Sequence, residues 1–382
     1  MLHIHEFIAL ENIMTERKLE FCPSIDEAAR QGFVAALKGY ANMAVQSELE
    51  KQIETEIIQD RKSIKTLTRD DIEEDCKNLP LYAFWGNLTY HSQDLLFTTV
   101  KETVDRTRDE QEEIAQELTS NPGKLGHLEL DLELVVASPI STIEIHRQPG
   151  GYTSEENGSD LTAGRVYSGT IELYRNAKAM GDGSKAGSDA IGQFTASIVK
   201  KYFPEISPKK ILDIGCGTGE QTVAFKRIFP DAQVHGLDTA GPLLRYAHAW
   251  AENEGLKIHY KQANAQDTRY ENGSFDLIVS HILFHETSHD IMPKIMEESK
   301  RLLAPGGVFL NLDVPYQPDV TPLPKQVTNN WQVINNGEPF WTGFAESNLV
   351  DLLSKAGFQD NNIIHNYETF GKGKYLVFGA TK

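Results

Sequence analysis

The chain is 382 residues long, 40% hydrophobic and 24% charged, an ordinary globular composition that excludes a fibre or a disordered chain. Its length allows a large core and, on size alone, two domains. A formal net charge of −18 at pH 7 opposes nucleic acid or an anionic membrane as partner, since either is repelled at long range.

The three cysteines, Cys22, Cys76 and Cys216, lie far apart and form no CxxC pair, so neither a disulfide framework nor a cysteine zinc site is expected. The opening "MLHIHEFIALENIMTERK" has no basic segment leading into a long apolar run. No stretch approaches the roughly eighteen apolar residues of a membrane span. A soluble, cytoplasmic protein is expected. From Ser24 to about Leu118 apolar residues recur at helical spacing. "SIDEAARQGFVAALKGYANMAVQSELEKQIETEIIQD" opens on a serine able to cap a helix, and "LTRDDIEEDC" and "YHSQDLLFTTVKETVDRTRDEQEEIAQEL" read as further helices. Such stripes serve core packing or a dimer contact.

"SNPGKLG" breaks the helical pattern, and Leu128, Leu130, Leu132 and Leu134 then alternate with polar residues at the period of a half-buried strand. With a turn at Ser138-Pro139, the segment "HLELDLELVVASPISTIEIHRQ" is read as a β-hairpin. The Gly-, Ser- and Asn-rich "QPGGYTSEENGSDLTAG" is read as a loop or linker, which puts a domain boundary near Ala163. Residues 1–163 then form a mainly helical domain with a β-hairpin, and residues 164–382 a second domain.

Beyond the boundary, strands alternate with helices: "KKILDIGCG", "AQVHGLD", "KIHYKQAN", "FDLIVSHI" and "VFLNLDV" are strands separated by helices such as "GPLLRYAHAWAENEG" and "IMPKIMEESKRLL". The pattern indicates an α/β fold with a mostly parallel sheet covered on both faces. A final helix, "ESNLVDLLSKAGF", and the strands "IIHNYETF" and "KYLVFGATK" close the chain.

Gly215-Cys216-Gly217-Thr218-Gly219 follows the first of these strands, where open α/β sheets bind ligands and glycines let the backbone approach them closely. A dinucleotide fingerprint needs Gly or Ala next. Here Glu220 puts a carboxylate where a pyrophosphate would sit on the helix amides. Asp238 ends the following strand, and its carboxylate can accept both hydrogen bonds of a ribose diol. The two features describe a nucleoside site without phosphate recognition.

With "NAQD" after the third strand, "GSFDLIVSHILFHE" on the fourth and "RLLAPGG" before the fifth, the sequence from about Tyr167 to Lys382 resembles the class I, Rossmann-like, S-adenosylmethionine-dependent methyltransferases. The resemblance implies a Rossmann-like sheet with an antiparallel last strand and S-adenosylmethionine as cofactor. It places the backbone of Gly215, Cys216 and Gly217 along the cofactor, Asp213 near its amino-acid end and Asp238 on its ribose. The acidic residue that many relatives carry near the adenine is absent, and Asn264-Ala265 stand in its place. His281 falls on the cofactor side.

Methyl transfer needs an acceptor held in line and a route for its proton. His285 and Glu286, directly after the fourth strand, are the candidate catalytic or acceptor-facing pair. The long insertion after the fifth strand offers Trp331, Phe340 and Trp341, with Asn335, Asn336 and Glu338, as a cover for a small-molecule substrate. Upstream of the first strand lie Tyr167, Tyr174 and Arg175; the resemblance offers Tyr174 or Arg175 to the methionine end of the cofactor, and Tyr174 is also a candidate substrate-binding residue. The N-terminal region resembles, in layout alone, the dimerisation regions of small-molecule O-methyltransferases, so it supports a homodimer or shapes the substrate chamber.

Two other readings compete: an adenosylmethionine-binding scaffold without methyl transfer, and a zinc peptidase. The second rests on His285-Glu286-Thr287-Ser288-His289, which matches HExxH. Ser288 or Thr287 can cap the next helix, putting His289 within its first turn and out of register with His285. No third ligand presents itself, so no metal site is expected.

Overall fold

The computed structural model describes residues 18–59, 61, 67–136, 140–176, 189–315, 318, 320–371 and 373–382. Helix α1 (Ile25–Tyr40) opens on a capping box, with Ser24 Oγ accepting from the Glu27 amide and the Glu27 carboxylate accepting from the Ser24 amide. Two π-helical turns, Ala41–Val45 and Ile53–Ile58, flank α2 (Gln46–Gln52). Helices α3 (Arg69–Cys76), α4 (Pro80–Arg106) and α5 (Arg108–Ser120) follow. Val34, Leu96, Phe97, Val100 and Val104 bury the α1–α4 seam, and α6 (Thr162–Asn176) adds Val166 and Leu173 to it. Helix α6 also packs on α9 (Gly241–Asn253), so it ties the N-terminal helices to the layer over the sheet.

The sheet has eight strands in the order β1-β4-β3-β2-β5-β6-β8-β7. They are β1 (His127–Glu129), β2 (Lys210–Ile214), β3 (Gln233–Asp238), β4 (Ile258–Gln262), β5 (Phe275–His281), β6 (Leu303–Asp313), β7 (Ile363–Phe370) and β8 (Gly373–Thr381). Pairing is parallel from β1 to β6, and β8 and β7 close the edge antiparallel. Successive residues of β2 serve opposite faces. Ile211 packs in the cluster with Val199 of α7 (Ala190–Tyr202) and Phe225 of α8 (Glu220–Ile228). Leu212 packs with Ile295 and Met296 of α10 (Met292–Leu302). This is the expected mostly parallel α/β sheet with helices on both faces.

The expected β-hairpin does not form among the described residues. Only His127–Glu129 is strand, and it adds to the outer edge of the sheet by parallel pairing with β4. Leu128 packs against the β4 core, whereas Leu132 is 85% exposed, and among the described residues of the segment no strand continues past Glu129. The turn expected at Ser138-Pro139 lies outside the described residues. The insertion after β6, read as loop, instead contains α11 (Leu323–Asn335) and α12 (Trp341–Ala345), ahead of the expected last helix α13 (Leu349–Lys355). Among the described residues no helix is long and apolar enough to cross a membrane.

Glu27 holds the start of α1 to the end of α4. It is buried, and the Arg106 guanidinium at 2.7 Å holds its carboxyl at about 2, outweighing the burial that opposes it. Glu27→Gln should cost about 1–2 kcal/mol in urea denaturation at neutral pH. Because the folded state depresses this pKa, the wild-type advantage is present above 4.5 and should shrink as pH falls toward 2. A gap that does not narrow in acid would refute the assignment.

Candidate functional site

The loop after β2 turns at three glycines with positive φ: Gly215 (+66°), Gly217 (+53°) and Gly219 (+89°). A Cβ on Gly215 would lie 2.6 Å from the Leu283 side chain, whereas a Cβ on Gly217 would project into open space. Asp238, at the end of β3, accepts the Gly217 amide through Oδ2 and the Ala240 amide through Oδ1, each at 2.9 Å. Each carboxylate oxygen retains a lone pair for a further donor. Burial raises the Asp238 pKa. Glu220, first residue of α8, accepts the Thr218 hydroxyl with both oxygens, which keeps its charge at the helix start.

Gly215, Gly217 and Asp238 border a cleft at the C-terminal strand ends. Asn264, Ala265, His281, Tyr152, Tyr167 and Glu286 line it as well. The Asn264 side-chain oxygen is taken by the Gln266 amide at 3.1 Å. His281 Nε2 is buried without a hydrogen-bond partner, and burial lowers its pKa to about 4. The Tyr152 and Tyr167 rings meet edge to face at 5.4 Å. Burial pushes both phenols well above their usual range, so both stay neutral.

The turn after β5 is fixed by Asp313, the last residue of β6, which is fully buried. Its Oδ2 accepts the Phe284 amide at 2.9 Å, and its Oδ1 accepts the Val314 amide at 2.8 Å and lies 2.7 Å from His285 Nδ1. This leaves His285 Nε2 directed toward Glu286, with Oε1 at 3.9 Å. His146 bridges Glu286 Oε1, at 3.0 Å from Nε2, and Glu338 Oε1, which its Nδ1 contacts. The Tyr152 hydroxyl donates to Glu286 at 3.3 Å. Two local constraints deliver these partners. His146 has a φ of +54° with its carbonyl accepting from Gln93 Nε2, and Gly337 (φ +69°) brings Glu338 up where a Cβ would strike the Glu144 carbonyl at 2.6 Å.

Burial alone would lower both imidazole pKa values, but the carboxylates dominate. Glu338 and Glu286 raise His146 to about 10, and Asp313, with Glu286 and Glu338, raises His285 to about 9. Burial would raise Glu286, yet His146, His285 and Tyr152 together lower it. One ligand atom from each of His146, His285, Glu286 and Glu338 lies within 4.8 Å of the others, so this cluster has the composition of a cation site.

Of the residues singled out from the sequence, Gly215, Gly217, Asp238, Asn264, Ala265, His281, Tyr167 and Glu286 share the cleft, with His285 beside Glu286. The others do not line it. Asp213 is buried beneath the loop, where its carboxylate accepts from Gln221 Nε2 and Thr222 Oγ1 and burial raises its pKa to about 7. The Cys216 side chain faces the β4 core. Tyr174 donates to Gln93 at 2.6 Å in the helical region, and Trp331 packs on Trp85 with ring centroids 4.9 Å apart. Phe340 sits at the start of α12, and Trp341 packs 5.6 Å from the His285 ring. The side chain of Arg175 lies outside the described residues.

In the HETSH stretch, His285 and Glu286 belong to a 3-10 turn, and α10 begins only at Met292. The expected side-chain cap is absent there: Ser288 Oγ bonds Asp290, and the Ser288 carbonyl accepts from Met292. His289 is exposed, 3.3 Å from Ser347, and shares no helix face with His285. His146 and Tyr152 were missed. His146 lay in the stretch read as a hairpin, and its positive φ leaves no mark in the sequence.

Residues 211–307 match the methyltransferase-domain family. A demethylmenaquinone methyltransferase of Thermus thermophilus is 36% identical over 114 residues, 30% of this chain and 51% of that protein. A trans-aconitate 2-methyltransferase of Deinococcus radiodurans is 34% identical over 121 residues, 32% of this chain and 43% of that protein. The chain thus spans about half, or less, of the length of these curated relatives. A solved phosphoethanolamine N-methyltransferase 2 of Haemonchus contortus, in complex with S-adenosyl-L-methionine, is 17% identical, with a TM-score of 0.40 over 49% of this chain and 51% of that one. The match to a methyltransferase domain thus covers residues 211–307, which span the mostly parallel sheet from β2 into β6.

Asp313→Ala removes three hydrogen bonds to one buried carboxylate and leaves His285 without its partner. It should cost about 3–5 kcal/mol in urea denaturation. A loss below about 1 kcal/mol would show that the turn holds without Asp313.

Proposed function

We propose that the chain is an S-adenosylmethionine-dependent methyltransferase that methylates a small-molecule acceptor. The observation that carries the reading is one cleft lined by Gly215, Gly217 and Asp238 and also by Tyr152, Tyr167 and Glu286. The residues present fit the cofactor. Asp238 can take a ribose diol while keeping both amide bonds, Gly217 leaves room for a ligand against its backbone, and Asn264-Ala265 border the same cleft. The Glu220 carboxylate at the start of α8 disfavours a pyrophosphate, which argues against a dinucleotide.

When bound, adenosylmethionine supplies a methyl group on a sulfonium whose sulfur is already a good leaving group. The chain's own task is therefore to hold the acceptor in line and to exclude water. Tyr152 and Tyr167 wall the cleft with neutral phenols. His285, fixed by Asp313, and Glu286, fixed by His146 and Tyr152, face the acceptor and orient its polar group. The cluster adds carboxylates rather than a basic groove, which supports a small molecule over nucleic acid. The named substrates of the menaquinone and aconitate relatives are small molecules as well. The N-terminal region, residues 1–163, contributes His146 and Tyr152 and so shapes the substrate chamber.

Asp238→Ala should weaken adenosylmethionine binding by about 1–3 kcal/mol in isothermal titration, through loss of charge-assisted hydrogen bonds. Unchanged affinity would remove the ribose assignment. His285→Ala should lower turnover about tenfold or more while leaving cofactor affinity nearly intact. Full turnover in that variant would make His285 a packing residue.

A further inference from the structure

We infer that His146, His285, Glu286 and Glu338 bind one divalent transition-metal cation at the acceptor end of the cleft, and that this cation holds an oxygen of the acceptor. The inference rests on the reading of the cleft as a methyl-acceptor site. Four observations carry it. One donor atom from each residue lies within 4.8 Å of the others, and the four come from three distant segments of the chain. Glu338 is only 3% exposed, and its Oε2 has no hydrogen-bond partner, a costly arrangement for a buried carboxylate that a cation relieves.

His285 has the wiring of a metal ligand. Its Nδ1 is held by the Asp313 carboxylate at 2.7 Å, which fixes the ring and leaves Nε2 for the site, as in carboxylate–histidine–metal arrangements. His146 sits in a sparsely populated backbone conformation, with φ at +54°, and such conformations concentrate at functional sites. Its ring already links Glu286 and Glu338, and one of its two nitrogens serves as ligand when the cation takes that linking place.

Two imidazole nitrogens and two carboxylate oxygens suit Zn²⁺, Fe²⁺ or Mn²⁺, whereas Mg²⁺ and Ca²⁺ favour oxygen alone. On a cation that expands to five or six ligands, four protein ligands leave room for an acceptor oxygen, and Glu286 and Tyr152 line the cleft beside them. An acceptor hydroxyl bound there releases its proton to solvent more readily, and its oxygen keeps the electron pair that attacks the methyl. Of the HETSH pattern, only His285 and Glu286 take part. The remaining ligands are supplied by tertiary structure, and nothing in this arrangement points to a peptidase.

The test uses the full chain, cleared of metal with a chelator and titrated calorimetrically with ZnCl₂, MnCl₂ or MgCl₂, with metal content measured by elemental analysis. One equivalent should bind, Zn²⁺ more tightly than Mn²⁺. Mg²⁺ should show no saturable binding. Glu338→Gln and His146→Ala should each weaken Zn²⁺ at least about tenfold while keeping a cooperative unfolding transition, and His289→Ala should not change it. Should a variant fail to fold, Glu286→Gln takes its place, and the wild-type titration stands by itself. No saturable binding of Zn²⁺ or Mn²⁺ to the wild type, or binding undiminished by the cluster substitutions, would overturn the inference. Titrating adenosylmethionine into the same samples separates the two readings. Cofactor binding without metal defeats the metal site alone, whereas metal binding without cofactor defeats the methyltransferase reading and leaves the metal site standing.

Discussion

The acceptor side of the cleft depends on one buried carboxylate, Asp313. Removing a carboxylate from water costs several kcal/mol, and here two amide hydrogen bonds and an imidazole offset that cost. The same bonds stop the chain after β5 in a tight turn, so that His285 and Glu286 stand at the strand ends instead of continuing into a helix. Without that anchor, the His285 ring loses the partner that sets its direction.

Around this anchor, the chamber is assembled from segments far apart in sequence. Gln93 of α4 holds the His146 carbonyl, and Trp331 of α11 packs on Trp85 of α4. The N-terminal helices therefore set the position of both the His146 turn and the insertion carrying Glu338. Charge is concentrated where these parts meet: Glu286, Glu338 and Asp313 surround two imidazoles and raise their pKa values. The cofactor side is built differently, from a glycine loop and a carboxylate that accepts the Gly217 and Ala240 amides, both at the ends of neighbouring strands.

That difference explains what the sequence made legible. The strands after the boundary, the glycine loop and Asp238 follow local rules, namely apolar runs ending in glycine and a carboxylate at a strand end, and each sits where those rules put it. Residues 127–148 misled because Leu128 to Leu134 alternate while, among the described residues, the segment gives only three residues to the sheet edge. His146 and Glu338 meet only through tertiary packing, which no local spacing encodes. Trp331 and Tyr174 look the same in sequence whether they cover a substrate or fill a seam, and here they fill the seam between helices. HETSH carried a metal-like pattern in the wrong geometry, while its first two residues joined a cluster the pattern does not describe.

The central claim, methyl transfer to a small molecule, is tested most directly by incubating the chain with adenosylmethionine carrying an isotopically labelled methyl group and the low-molecular-weight fraction of a cell extract, followed by untargeted mass spectrometry. The account predicts a metabolite that gains one labelled methyl group as adenosylhomocysteine accumulates. Binding of adenosylmethionine with no labelled metabolite and no adenosylhomocysteine, across extracts and with the proposed metal supplied, would contradict it.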